Sequence, residues 1–89
     1  MSKFEKVIIK LLSGKSDKNF DFDELVSILQ KLGFQFRVKG SHHIFFKEEV
    51  SEIINLQCKS GKAKPYQVKQ VRNIVVKYKM ISNEGEVQI

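Results

Sequence analysis

The chain has a single cysteine, Cys58, and a single proline, Pro65, in 89 residues. One cysteine cannot build a disulfide framework, and no Cys-His spacing suited to zinc accompanies it. Cys58 therefore reads as a half-buried residue at a strand end rather than as a catalytic thiol. Long apolar runs are also missing, and nothing approaches the roughly 18 residues that cross a membrane. Val7-Ile8-Ile9-Lys10-Leu11-Leu12 is short, is interrupted by Lys10, and has no small-residue cleavage site after it, so it does not read as a signal peptide. The expected location is the cytoplasm.

The most telling shortage is of acids. No Asp or Glu occurs between Ile53 and Asn83, where Lys59, Lys62, Lys64, Lys69, Arg72, Lys77 and Lys79 all fall. Residues 1–52 are nearly balanced, with nine bases against eight acids, so the net charge of +6 is concentrated in the last third. A polyanion is the natural partner for such a field, and an acidic protein is the other.

The length and a hydrophobic content of 42% suit one small domain, residues 1–89. Phe4, Val7, Ile8, Leu11 and Leu12 fall at helical spacing, and Ser13 to Asn19 break it as an exposed connection. Gly14-Lys15-Ser16 resembles the end of a phosphate-binding loop, but residues 10–13 hold no glycine and no strand precedes them. Asp21 with Glu24 three residues later has the spacing of a helix-opening capping box. Leu25, Ile28, Leu29 and Leu32 form the buried stripe of that helix, and Gly33 suits its left-handed C-terminal cap. Phe34 to Lys39 alternate with period two and predict a half-buried strand. Gly40-Ser41 is a tight turn, and His42 to Lys47 and Glu52 to Gln57 are two further strands. Pro65 opens a last helix with Val68, Val71, Ile74, Val75 and Tyr78 on its apolar side. Val87-Gln88-Ile89 frames a short strand or stays loose. The expected class is α+β: an antiparallel three-stranded meander with helices on one face, αβββα over residues 21–80. Residues 1–20 add an N-terminal helix and residues 81–89 a tail.

Both histidines stand together, after the turn, in Gly40-Ser41-His42-His43. Neighbours in a strand point to opposite faces. If Ile44 and Phe46 face the core, so does His42; if Phe45 does, His43 is buried. An imidazole can take a proton from a ribose 2′-hydroxyl, and cations can stabilise the phosphoryl oxygens, so RNA cleavage without a metal is the available chemistry. Glu48, Glu49 and Glu52 are the nearest acids and read as solvated turn residues rather than metal ligands. Lys59, Lys62 and Lys64 lie in a loop before Pro65, where helix N–H groups add to a phosphate site, with Lys69 and Arg72 following on the helix.

From Asp21 to Met80 the chain resembles the HicA toxin family, small messenger-RNA interferases paired with a HicB antitoxin. The resemblance rests on Leu32-Gly33-Phe34 closing a helix, a strand, then Gly40-Ser41-His42-His43 with aromatics after it, a third strand, and a last helix entered through a Gly- and Lys-containing loop. It implies a double-stranded-RNA-binding-like αβββα fold and a catalytic histidine that cuts messenger RNA with no cofactor. It also implies a HicB-type antitoxin that masks the site. The catalytic role falls on His42 first and His43 second, with Gly40 and Ser41 matching the turn that positions it. Lys59, Lys62, Lys64, Lys69 and Arg72 are the expected RNA contacts. Residues 1–20 and those after Met80 exceed the family pattern and suit antitoxin binding or packing. The alternatives are a noncatalytic module that reads duplex RNA through Lys62, Lys64 and the last helix, and a protein-interaction module for an acidic partner.

Overall fold

The structure, a computed structural model, describes residues 2–81. The order is α1 (Lys3–Ser13), a 3-10 turn (Asp17–Asn19), α2 (Phe22–Lys31), β1 (Gln35–Lys39), β2 (His42–Lys47), β3 (Val50–Gln57) and α3 (Pro65–Lys77). The strands form one antiparallel sheet in the order β1-β2-β3, the expected meander. The strand foreseen around Val87 lies outside the described residues.

Local chemistry sets the element ends. Ser2 Oγ accepts the Glu5 N–H at 3.1 Å and caps α1. At α2 the Asp21 N–H donates to Glu24 Oε1 at 3.3 Å. The same helix ends in a Schellman motif: the Gly33 N–H reaches Gln30 O and the Phe34 N–H reaches Leu29 O, both at 3.0 Å. Gly33 has φ +94°, a conformation costly for any residue with a Cβ. The apolar stripes read from the sequence fill one core. Ile8 and Leu11 of α1 have no exposure and join Leu25, Phe45, Ile54 and Val71 in it. So α1, foreseen as an extension of a core beginning at residue 21, supplies part of that core itself.

Three expectations change. β1 is not half-buried: all five of its residues are exposed, with Phe36 at 40% and Val38 at 57%. Among the described residues α3 packs on β3 and Phe22 of α2 meets His43 of β2, which leaves β1 at the margin. Cys58 is exposed rather than half-buried. The connection after α1 is not merely solvated. Asp17 accepts a bidentate pair from Arg72, Nη1 at 2.8 Å and Nη2 at 3.0 Å, and Arg72 Nη1 also reaches Leu11 O at 3.2 Å. This one side chain ties α3 to the end of α1 and to the 3-10 turn, satisfying a carbonyl that α1 leaves over.

α3 fastens the start of β3 along its free edge. Tyr78 accepts the Ser51 N–H at 3.3 Å and donates to Glu52 Oε1 at 2.6 Å, while Lys77 Nζ meets Glu52 Oε2 at 2.9 Å. Glu52, in the strand foreseen from Glu52 to Gln57 but read as solvated, is thus bound to α3. The Tyr78 hydroxyl first, and Lys77 second, pull its carboxyl down to about 2 from an ordinary 4.5.

Two outcomes follow from these contacts. Arg72→Ala leaves Asp17 without its partner at a site where both side chains are about one-fifth exposed or less. It should cost about 2 kcal/mol in urea unfolding, and Arg72→Lys should recover only part of that, since an ammonium cannot bind both carboxylate oxygens. For Glu52 the folded state favours the deprotonated carboxyl. Its contribution is complete above the ordinary value of 4.5 and disappears as the pH falls toward 2. The stability gap between the native chain and Glu52→Gln should therefore be flat above pH 5 and close between about 4.5 and 2. A gap that persists unchanged at pH 2 contradicts the assignment.

Candidate functional site

Phe45 has no exposure, which decides the phase of β2. His43 and Phe45 face the helices, and His42, Ile44 and Phe46 face outward. The Gly40-Ser41 turn closes the hairpin between Lys39 and His42, which pair across it. Gly40 has φ +61° and Ser41 is not in the positive region, the pattern of a type II′ turn that needs glycine first. Open space surrounds the Gly40 Cα, so the requirement there is conformational and not steric.

His42 is exposed, and its Nδ1 lies 2.9 Å from Asn55 Oδ1 on β3. With the amide oxygen toward the ring, Nδ1 carries the proton and Nε2 keeps its lone pair for an incoming hydroxyl. A chain of contacts supports the pair. Gln57 Nε2 donates to Ser41 Oγ at 3.2 Å, and Lys64 Nζ donates to Gln57 Oε1 at 3.2 Å. The Lys64 N–H donates to Gln67 Oε1 at 3.2 Å, and Gln67 Nε2 reaches Asn55 O at 3.5 Å. The circuit runs from the turn through β3 and the start of α3 back to the histidine. Gln67 is its hidden member, 1% exposed.

The outward face around His42 carries Gln35, Arg37 and Lys39 from β1, Ile44 and Phe46 from β2, and Ile53, Asn55 and Gln57 from β3. None is acidic. Ile53 is 63% exposed, and the Arg37 guanidinium stands 5.6 Å from the centre of the Phe46 ring. Cations beside flat apolar side chains suit a nucleic-acid strand, which offers both phosphates and π faces.

His43 stands on the other side of the sheet. Its ring meets Phe22 edge-on at 5.1 Å and stacks near Phe36 at 6.3 Å. Its Nδ1 is buried with no hydrogen-bond partner among the described residues. The two histidines, adjacent in sequence, therefore do not form one site.

The expected cationic set is also divided. Lys64 lies against the turn through Gln57. Lys62 is bound to Asp21, and its loop docks on α2 through Phe22 N–H to Gly61 O at 3.0 Å and Ala63 N–H to Phe20 O at 2.9 Å. Asp21 is held below the usual carboxylate range by the hydrogen bond and charge of Lys62. Arg72 is engaged by Asp17. Lys69 stands with Tyr66, Gln70 and Asn73 around a shallow hollow of about 320 Å³ on α3, away from the hairpin. Lys59 is exposed in the loop. The start of α3 offers fewer free donors than foreseen: Pro65 has no N–H, the Lys64 N–H is taken by Gln67, and the Gln67 N–H by Lys64 O at 2.9 Å. A wider groove of about 970 Å³ between α1 and α2, floored by Phe4, Val7 and Ile28, shares no residue with the histidine face.

Asn55, Gln57, Gln67, Arg37 and Lys39 were not foreseen as site residues. For Asn55 and Gln57 a signal existed: polar residues at alternate positions of β3, in a meander that must lay its end beside His42. Gln67 carried none, since a polar residue in the first turn of a helix ordinarily faces water.

Among the described residues no three His, Cys, Asp or Glu side chains come together as a metal site requires. No helix among them is long and apolar enough to cross a membrane. Comparison with curated proteins and with solved structures finds no match for the chain. A family model described as the HicA toxin of bacterial toxin-antitoxin matches residues 22–76, from the first residue of α2 almost to the end of α3. That span is more than half of the chain and includes the sheet, the histidine turn and the Asn55–Gln67 contact, so the protein belongs to the HicA toxin family.

Proposed function

We propose that this toxin is a metal-independent endoribonuclease that cuts messenger RNA in the cytoplasm, with His42 as its acid–base residue. The observation that carries the reading is the His42–Asn55 pair on an open sheet face without acids. Asn55 fixes the tautomer, so Nε2 accepts the proton of a ribose 2′-hydroxyl. The resulting alkoxide attacks the neighbouring phosphorus. Lys39, opposite His42 in the hairpin, and Lys64, beyond Gln57, are the cations nearest the phosphoryl oxygens. The imidazolium returns its proton to the departing 5′-oxygen, leaving a 2′,3′-cyclic phosphate. His43 packs between aromatic rings on the far side of the sheet, and we assign it a structural role.

The duplex-reading alternative gains little support. Lys62, one of its main contacts, is paired with Asp21. Gly40 and Ser41 set the turn, and Lys59, Lys64 and Lys69 remain as phosphate contacts with no salt bridge among the described residues.

His42→Ala should keep the fold and lose cleavage by about 100-fold or more. A folded His42→Ala protein with full activity overturns the assignment, and His43→Ala separates the two residues. Asn55→Ala should lower kcat more than it raises KM in protein that stays folded. An RNA with 2′-deoxyribose at the scissile position should resist cleavage. Activity should persist in EDTA, and loss of activity to the chelator contradicts the route.

Removing Lys59, Lys64 or Lys69 singly should flatten the log–log salt dependence of RNA binding by about one unit. Removing Arg72 should leave that slope unchanged in protein that stays folded, because Asp17 already neutralises it.

A further inference from the structure

The two edges of the sheet are treated differently. On β3 two outward backbone groups are taken up by α3, Asn55 O by Gln67 and the Ser51 N–H by Tyr78. On β1 nothing comparable occurs. The two-residue turn makes Lys39 and His42 the closing hydrogen-bonded pair, so Arg37 and Gln35 also bond inward to β2. Phe36 and Val38 then direct their N–H and C=O groups away from the sheet. Among the described residues neither has a backbone partner beyond it. Their side chains are exposed as well, on the helix side, where Phe36 stacks against Phe45 at 5.2 Å and lies near His43. An uncovered edge with apolar side chains is a template for strand addition, and natural chains ordinarily blunt it.

We infer that β1 is the docking edge for an extended segment of the antitoxin, which joins the sheet as a fourth strand. The inference rests on the toxin reading above, and it specifies how the partner binds. Charge identifies the occupant. The outward side chains of β1 are Gln35, Arg37 and Lys39, with no acid among them. A second copy pairing antiparallel through β1 brings these cations against their own images, which opposes a homodimer. The fitting segment carries acids at alternate positions on the face it shares with Arg37 and Lys39. Apolar residues between them cover Phe36 and Val38. A strand there also lies near the hairpin end that holds His42, on the strand next to the docking edge. The bound partner thus neutralises the cations around the site and narrows the access of a polyanion to it.

The test uses the native chain and its antitoxin, co-expressed and purified as a complex. Amide hydrogen exchange is read by NMR on the free toxin and on the complex. The N–H groups of Phe36 and Val38 should exchange at least 100-fold more slowly in the complex. Val38→Pro removes one outward donor that no intrachain bond uses, a substitution edge strands accept. It should retain the melting temperature and RNA cleavage of the free toxin and weaken the antitoxin by at least 100-fold. A complex in which both amides exchange as in the free chain overturns the inference, and so does the absence of a complex. RNA cleavage by the free toxin is scored separately. If cleavage fails while the edge is protected, the enzymatic reading falls and the docking edge stands.

Discussion

Phe45 is shielded completely, stacks on Phe36, and holds the centre of the sheet against the helices. A strand has a period of two, so one buried side chain fixes the direction of every other residue in it. Burying a phenylalanine contributes about 2–3 kcal/mol. A one-residue slip forfeits that and drives His42 beneath the sheet. The same constraint turns Asn55 and Gln57 of β3 outward beside His42. The histidine face is therefore a by-product of core formation.

The helices hold that face through polar contacts at the sheet margin. Gln67, buried at the first turn of α3, joins Asn55 to the backbone of Lys64. A buried amide must find partners, and these two fix where α3 begins relative to β3. At the other end of α3, Tyr78 and Lys77 grip Glu52, and Arg72 draws the middle of α3 onto Asp17 and the last turn of α1. The helix that supplies the basic residues is thus fastened along its length. Part of its positive charge is spent on fastening it, which explains why a cluster in the sequence becomes a divided set in space.

Much of the fold was legible in the sequence. The stripes Leu25-Ile28-Leu29-Leu32 and Val68-Val71-Ile74-Val75 lie where helical spacing put them, because a helix repeats its face locally. Gly33 and Gly40 sit at positive φ, as their turns required. The exposure of β1 was not legible. Phe34, Phe36 and Val38 alternate as a half-covered strand does, yet only Phe34 is buried. Alternation reports which residues share a face and says nothing of whether another layer reaches that face. The Arg72 ion pair was not legible for a related reason: its partner Asp17 lies 55 residues earlier, in a stretch that looked like plain solvated turn.

By itself the sequence determined the elements, their order, the turn that opens β2 and the excess of positive charge late in the chain. Each depends on residues within a few positions of one another, through backbone sterics, periodicity and capping. Which histidine faces the basic open surface, which cations are free, and which polar side chain orients the ring were decided only by tertiary structure. Those outcomes depend on what packs over Phe45 and on ion pairs between segments far apart in the chain. Burial and pairing are properties of the assembled layers, and no local spacing encodes them.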